Sequence, residues 1–147
     1  MKIAIASDHA GFEMKEIMKL FLKGLRHDVK DFGTDSMKPV DYPDFALKVA
    51  CAVAKKKYER GILFCSTGLG MSIAANKVNG IRAVLCYDTE TARLSREHND
   101  ANILTIGARM ISIEDVKGII KVWLKTDFLG ERHLTRIEKI REIEKNF

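Results

Sequence analysis

The residue best placed to do chemistry in this 147-residue chain is Cys65. It follows Ile62, Leu63 and Phe64, an apolar run short enough for a buried strand. After it come Ser66, Thr67, Gly68, Leu69 and Gly70, a tight turn rich in small residues, and then Ile73, Ala74 and Ala75, which read as the buried side of a helix. A strand, a glycine turn and a helix start leave backbone N–H groups pointing outward, where negative charge is stabilised. The same N–H groups favour a thiolate over a thiol. The pattern therefore predicts a potential base beside a nest for an anion. The alternative is a buried cysteine ahead of a packing turn.

Other residues could share such a site. Asp8 and His9 follow an apolar run and precede Ala10-Gly11. Asp8 can accept from sugar hydroxyls or cap a helix, and His9 can help hold an anion. His98-Asn99-Asp100 falls where a helix ends and a strand begins, and a histidine there can exchange a proton near neutral pH or be a plain surface residue. Arg109, Arg132, His133 and Arg136 are donors for phosphate or part of a solvated charged face; Arg132 and Arg136 point the same way if helical. Sharper motifs fail. A P-loop needs Lys then Ser or Thr after its last glycine, but Met71 and Ser72 follow Gly70. A dinucleotide fingerprint fits Gly68, Gly70 and the position of Asp88 but not Ile73. A cysteine-phosphatase loop would need an arginine at Met71, and a papain-type signature is absent.

These residues need a frame. Ile3 to Ala6, His27 to Phe32, Ile62 to Phe64, Ile81 to Cys86 and Ile103 to Ile106 read as five strands. Between them, Met14, Ile17, Met18, Phe21 and Leu25 recur at helical spacing. Pro43 can open a helix carrying Phe45, Ala46, Val49, Ala50, Val53 and Ala54. Asp88 can cap a helix from Thr89 to Glu97, and Ser112 one that carries Val116, Ile119, Ile120, Trp123 and Leu124. A charged helix from Thr135 to Lys145, with Thr135 and Glu138 at capping-box spacing, ends the chain. Strand–helix alternation predicts a parallel sheet covered on both faces, with ligands beyond the carboxyl ends of the strands. Asp8, His9 and Cys65 fall at that edge. His98 and Asn99 precede the fifth strand, so within one chain they belong at the opposite edge, some 15 Å away for a five-residue strand.

Length and composition bound the rest. One domain, residues 1–147, is expected. Hydrophobic residues make up 46% and charged residues 31%, no run suits a membrane span, and the start turns polar too soon for a signal peptide. The three cysteines, Cys51, Cys65 and Cys86, lack metal-type spacing and read as reduced cytoplasmic thiols. The net charge of +5 suits a phosphorylated substrate or nucleic acid, but the basic residues are scattered apart from Lys55-Lys56-Lys57, a solvated helix end.

Taken together, Ser7-Asp8-His9-Ala10-Gly11, Asp41-Tyr42-Pro43, Cys65 to Gly70 with Ile73-Ala74-Ala75-Asn76-Lys77, Gly80-Ile81-Arg82-Ala83, Ser95 to Asp100, Gly107-Ala108-Arg109, and Arg132-His133 with Arg136 resemble the B-type ribose-5-phosphate isomerases over nearly the full length. That family also includes galactose-6-phosphate and allose-6-phosphate isomerases. The resemblance implies a Rossmann-like three-layer α/β/α sandwich, a homodimer or dimer of dimers, no metal, no organic cofactor, and no nucleic-acid or membrane partner. It implies that Cys65 removes the C2 proton of an open-chain aldose and that the N–H groups from Thr67 to Gly70, Leu69 among them and Ser66 beside them, stabilise the enediolate. His98 would open the sugar ring, while Asn99, Asp8, Tyr42 and Thr67 hold hydroxyls. His9, Arg109, Arg132 and Arg136 would bind the phosphate, and the setting would be the pentose phosphate pathway. Two departures stand out: many relatives have glycine at Ser66, and another branch has a glutamate base at Met71. A non-catalytic phosphosugar- or nucleotide-binding module is the rival of a different class.

Overall fold

The computed structural model describes residues 1–146. The chain runs β1 (Lys2–Ser7), a 3-10 turn (His9–Gly11), α1 (Phe12–Gly24), β2 (Asp28–Asp31), α2 (Tyr42–Ala54), β3 (Arg60–Cys65), α3 (Leu69–Ala75), β4 (Ala83–Leu85), α4 (Thr89–Asn99), β5 (Ile103–Gly107), α5 (Ile113–Lys125) and α6 (Arg132–Asn146). The five strands form one parallel sheet in the order β2-β1-β3-β5-β4. Alternation along each strand sorts side chains between two cores. Ile3, Ile5, Ile62, Phe64, Leu104 and Ile106 meet Met14, Met18 and Leu22 of α1, Ala92 of α4, and Val116, Ile119, Ile120 and Trp123 of α5. Ala4, Ala6, Leu63, Cys65 and Ile103 meet Ala46, Val49, Ala50 and Val53 of α2 and Met71 and Ala75 of α3. Each large aliphatic or Phe side chain fully buried in these cores contributes about 1.5–3 kcal/mol. The result is the expected α/β/α sandwich of Rossmann-like form, with α6 lying outside it against α4 and burying only His133 and Ile137.

Several elements differ from the sequence pattern for identifiable reasons. On α1 the buried stripe is Met14, Lys15, Met18 and Leu22, while Ile17 and Leu25 are exposed. Lys15 can sit there because its ammonium reaches Asp31 at 2.5 Å and Glu16 at 2.8 Å. On α3 the buried residues are Met71 and Ala75, and Ile73 is 62% exposed. β4 is shorter than Ile81 to Cys86, because side-chain amides hold its entry: Asn102 Oδ1 accepts from Arg82 N at 2.8 Å and Asn76 Oδ1 from Ala83 N at 2.8 Å. α4 runs on to Asn99, so His98 lies in its last turn. α6 begins at Arg132, just after the left-handed Gly130 and Glu131, so Thr135 is inside the helix and caps nothing. The caps at Asp88 and Ser112 are present, with Asp88 Oδ1 accepting from Thr91 N at 2.7 Å and Ser112 Oγ from Asp115 N at 3.2 Å.

Candidate active site

Cys65 closes β3 at the carboxyl edge of the sheet, level with Gly107 of β5. Its thiol is buried, and its Sγ accepts the Gly68 N–H at 3.1 Å. Gly68 makes this possible by turning left-handed at φ +81°; a Cβ there would also lie 2.5 Å from Leu85 Cδ1. Gly70 has no room for a side chain either, since its Cβ would meet the Tyr42 ring at 2.6 Å. That contact seats Tyr42, the first residue of α2, against the loop after Cys65. Cys65 O accepts from Ala108 N at 2.8 Å and Ser66 O from Arg109 N at 3.2 Å, so the segment carrying Arg109 is tied to the same loop. Thr67 and Leu69 are exposed on the outer side of the turn.

Beside this loop, Asp8 N donates to Phe64 O at 3.2 Å, which fixes the end of β1 against β3. Asp8 Oδ1 accepts from Gly11 N at 3.0 Å and caps the 3-10 turn. The second carboxylate oxygen is left for another partner. His9 Nδ1 accepts from Val40 N at 3.2 Å, which places the proton of a neutral ring on Nε2. His9 and Arg109 line one cavity of about 560 Å³ with Glu13, Met37 and Ser112. Asp8, His9, Tyr42, Cys65, Ser66, Thr67, Gly68, Leu69, Gly70 and Arg109 therefore gather at one edge.

His98, Asn99, Arg132 and Arg136 gather elsewhere. Ile103 of β5 is level with Gly61, four residues before Cys65. His98 and Asn99, coming before Ile103, sit toward the amino edge, about 10–13 Å from Cys65 along the strand direction. The His98 ring stacks on His133 of α6, with centroids 4.2 Å apart and planes 8° from parallel. His133 is buried, and its Nδ1 lies 3.5 Å from Arg136 Nη1. Burial, then the charges of His98, Arg132 and Arg136, hold the His133 imidazolium below its ordinary range. The sequence carries no signal for this stack: Arg132 and His133 read there as phosphate donors or a solvated charged face, because no local pattern pairs α4 with α6. Among the described residues, no group of three His, Cys, Asp or Glu side chains could hold a metal ion, and no helix is long and apolar enough to cross a membrane.

The likeness to known proteins runs along the whole chain. The family model described as Ribose/Galactose Isomerase matches residues 3–140. Ribose-5-phosphate isomerase B of Escherichia coli is 46% identical over 143 residues, 97% of this chain and 96% of the relative. D-erythrulose-4-phosphate isomerase of Pectobacterium atrosepticum is 42% identical over 142 residues, 95% and 93% of the two chains. The solved ribose-5-phosphate isomerase B of Clostridium thermocellum superposes with a TM-score of 0.98 at 54% identity, covering 99% of both chains. A thiol-bearing strand end, its glycine loop and a likeness of this extent agree: the chain belongs to the Ribose/Galactose Isomerase family, as a close relative of the B-type ribose-5-phosphate isomerases.

Proposed function

We propose that this sugar-phosphate isomerase interconverts ribose 5-phosphate and ribulose 5-phosphate, working as a single domain in the cytoplasm on the pentose phosphate pathway. The observation that carries the reading is the Cys65 thiol held at the strand end with the Gly68 N–H on its sulfur. Cys65, as thiolate, takes the C2 proton of the open-chain aldose. The C–H electron pair becomes the C1–C2 double bond, and the carbonyl pair moves onto O1. The same proton returns to C1, O2 loses its proton and O1 ends as a hydroxyl, so the net change is a hydrogen shift from C2 to C1 and from O2 to O1. Backbone N–H groups from Thr67 to Gly70 stabilise the enediolate oxygens; one such donor is typically worth about 3–4 kcal/mol in the transition state. Asp8, Tyr42, Thr67 and Asn99 hold hydroxyls, Ser66 shapes the loop, and His9, Arg109, Arg132 and Arg136 take the phosphate.

His98 opens the ring as acid and base, from the partner subunit of a homodimer. Two observations support this. His98, Asn99, Arg132 and Arg136 lie at the edge of the sheet away from Cys65. Apolar side chains stand exposed on α3 and α6, with Ile73 at 62% and Ile143 at 59%, a surface suited to a second copy. Pentose is the first choice of substrate, and allose 6-phosphate or galactose 6-phosphate the alternative. A coupled assay with all three sugar phosphates decides. Turnover greatest on ribose 5-phosphate and unchanged by EDTA is expected. Tight binding without conversion of any of them would contradict the isomerase reading.

A further inference from the structure

A second cleft, of about 690 Å³, opens at the amino ends of β3, β4 and β5, away from Cys65. Four cationic side chains line it, Lys56, Arg60, Arg82 and Arg141, against two carboxylates, Glu59 and Asp100. Both carboxylates are already engaged. Glu59 Oε1 accepts from Lys2 N at 2.9 Å, and Asp100 receives Arg82 on one oxygen and Arg96 on the other, each at 2.8 Å. Arg96 is buried behind this wall and adds a fifth positive charge. Arg60 donates Nη1 to Glu59 O at 2.9 Å and lies 6.0 Å from the centroid of the Trp123 ring. Its buried Nε, however, has no hydrogen-bond partner among the described residues. Burial, then the Arg96 charge, draw Arg60 below the ordinary guanidinium range, and burial does the same to Arg82 despite Asp100, with Arg141 adding to it. A third carboxylate, Glu144, stands beside the cleft and accepts from Gly80 N at 3.0 Å, so five cations face three carboxylates; that surplus of positive charge, on guanidinium groups drawn from water, is what a bound anion relieves.

We propose that this cleft is a second anion site, taking a small, multiply charged phosphate compound on Arg60, Arg82, Arg141 and Lys56. Guanidinium forks match phosphate oxygens in geometry as well as charge. Arg82 joins the site to the rest of the molecule. Its Nε donates to Asn99 O at 2.9 Å and Asp100 O at 3.1 Å, and its Nη2 to Asp100 O at 2.8 Å. These bonds hold the turn that ends α4, where Asp100 sits at φ +45°. An anion competes for the same N–H groups and so loosens the turn that carries His98 and Asn99. Resting on the role proposed above for His98, the anion then lowers turnover without occupying the substrate pocket.

Inorganic pyrophosphate is the probe, titrated into the full chain and followed by backbone amide NMR. Gly80 and Asn102 report on the cleft, Gly68 and Gly70 on the substrate loop. Saturable shifts at Gly80 and Asn102 are expected. Their affinity should fall at least tenfold in Lys56→Asn/Arg141→Gln, both exposed positions, with Asn suited to the left-handed φ of +55° at Lys56. Arg60→Met should act alike. Shifts confined to Gly68 and Gly70, or cleft shifts that survive these substitutions, overturn the site. In the turnover assay, pyrophosphate inhibition of the wild-type protein should have a part that excess sugar phosphate does not relieve, absent from the double variant. Purely competitive inhibition overturns the coupling to His98. The amide shifts need no turnover, so an inactive chain would count against the proposed function and not against the anion site.

Discussion

At the scale of single residues, three cysteines are given three different environments. Cys65 closes a strand beneath the Gly68 N–H. Cys51 lies on α2, partly exposed and outside either residue group. Cys86 is buried, and desolvation pushes its thiol up to about 11 in spite of the Ser95 and Thr91 hydroxyls beside it. On the order of one Cys86 thiol in ten thousand is then ionised at pH 7, which leaves it unreactive. Cys65→Ala is expected to cut kcat by about 10²–10⁴-fold, the usual contribution of a general base, with circular dichroism and phosphate binding unchanged. Cys51→Ala and Cys86→Ala should keep near-normal rates. Met71 is fully buried in the α2–α3 core and has no proton to exchange, so it offers no substitute base. Near-normal turnover in Cys65→Ala, or an equal loss in Cys51→Ala, would remove Cys65 from the mechanism.

At the scale of elements, the loop between β2 and α2 reaches the site from a buried ion cluster. Asp31 ends β2, with Lys15 and Lys19 of α1 on Oδ2 at 2.5 and 2.8 Å and the Gly33 N–H on Oδ1 at 2.9 Å. Beyond it, Gly33 O accepts from Ser7 N at 2.7 Å and Thr34 N donates to Ser7 O at 2.8 Å, which aligns the loop that brings Val40 to His9. Burial pushes the Asp31 carboxyl up, but the two ammonium groups and the Gly33 N–H outweigh it and hold the group below the usual carboxylate range. A carboxylate depressed in the fold stabilises it fully above the unfolded pKa, near 4, and loses that contribution as pH falls through the folded value. Asp31→Asn should therefore cost about 2 kcal/mol at pH 7, since it strips a partner from buried Lys15, and the urea midpoints of the two proteins should draw together as pH falls below the usual carboxylate range. Equal midpoints at pH 7 would show that the cluster does not anchor the loop.

The same element shows where the sequence is legible. The strand–glycine turn–helix unit around Cys65 and the caps at Asp88 and Ser112 are local, so composition and spacing reveal them. Lys15 breaks the apolar stripe of α1 because its counter-charge comes from β2, a neighbour only in space. Ile73 reads as core because its neighbours are small and apolar, yet the core position on that short helix goes to Met71. The candidate site residues are named by motif and resemblance alone. Their division between two edges followed from counting strands, whereas the stacking of His98 on His133 depends on how α6 lies on α4, and no local pattern carries that.

At the scale of the whole molecule, the candidate site residues fall at two edges of the parallel sheet. Cys65 with Asp8, His9 and Arg109 occupies one, and His98 with Asn99, Arg132 and Arg136 the other. A proton donor must come within hydrogen-bond reach of the sugar, so the proposed mechanism needs a two-fold partner that brings its own His98 to this chain's Cys65. Subunit mixing tests that requirement directly. Cys65→Ala and His98→Ala proteins, each nearly inactive alone, are mixed in equal amounts and allowed to exchange subunits. Random pairing makes about half of the dimers hybrid, each with one intact and one doubly damaged site, so roughly a quarter of the wild-type activity should return. Exchange confirmed by mass spectrometry, with no activity regained, would place Cys65 and His98 in the service of the same chain and contradict a site built from two.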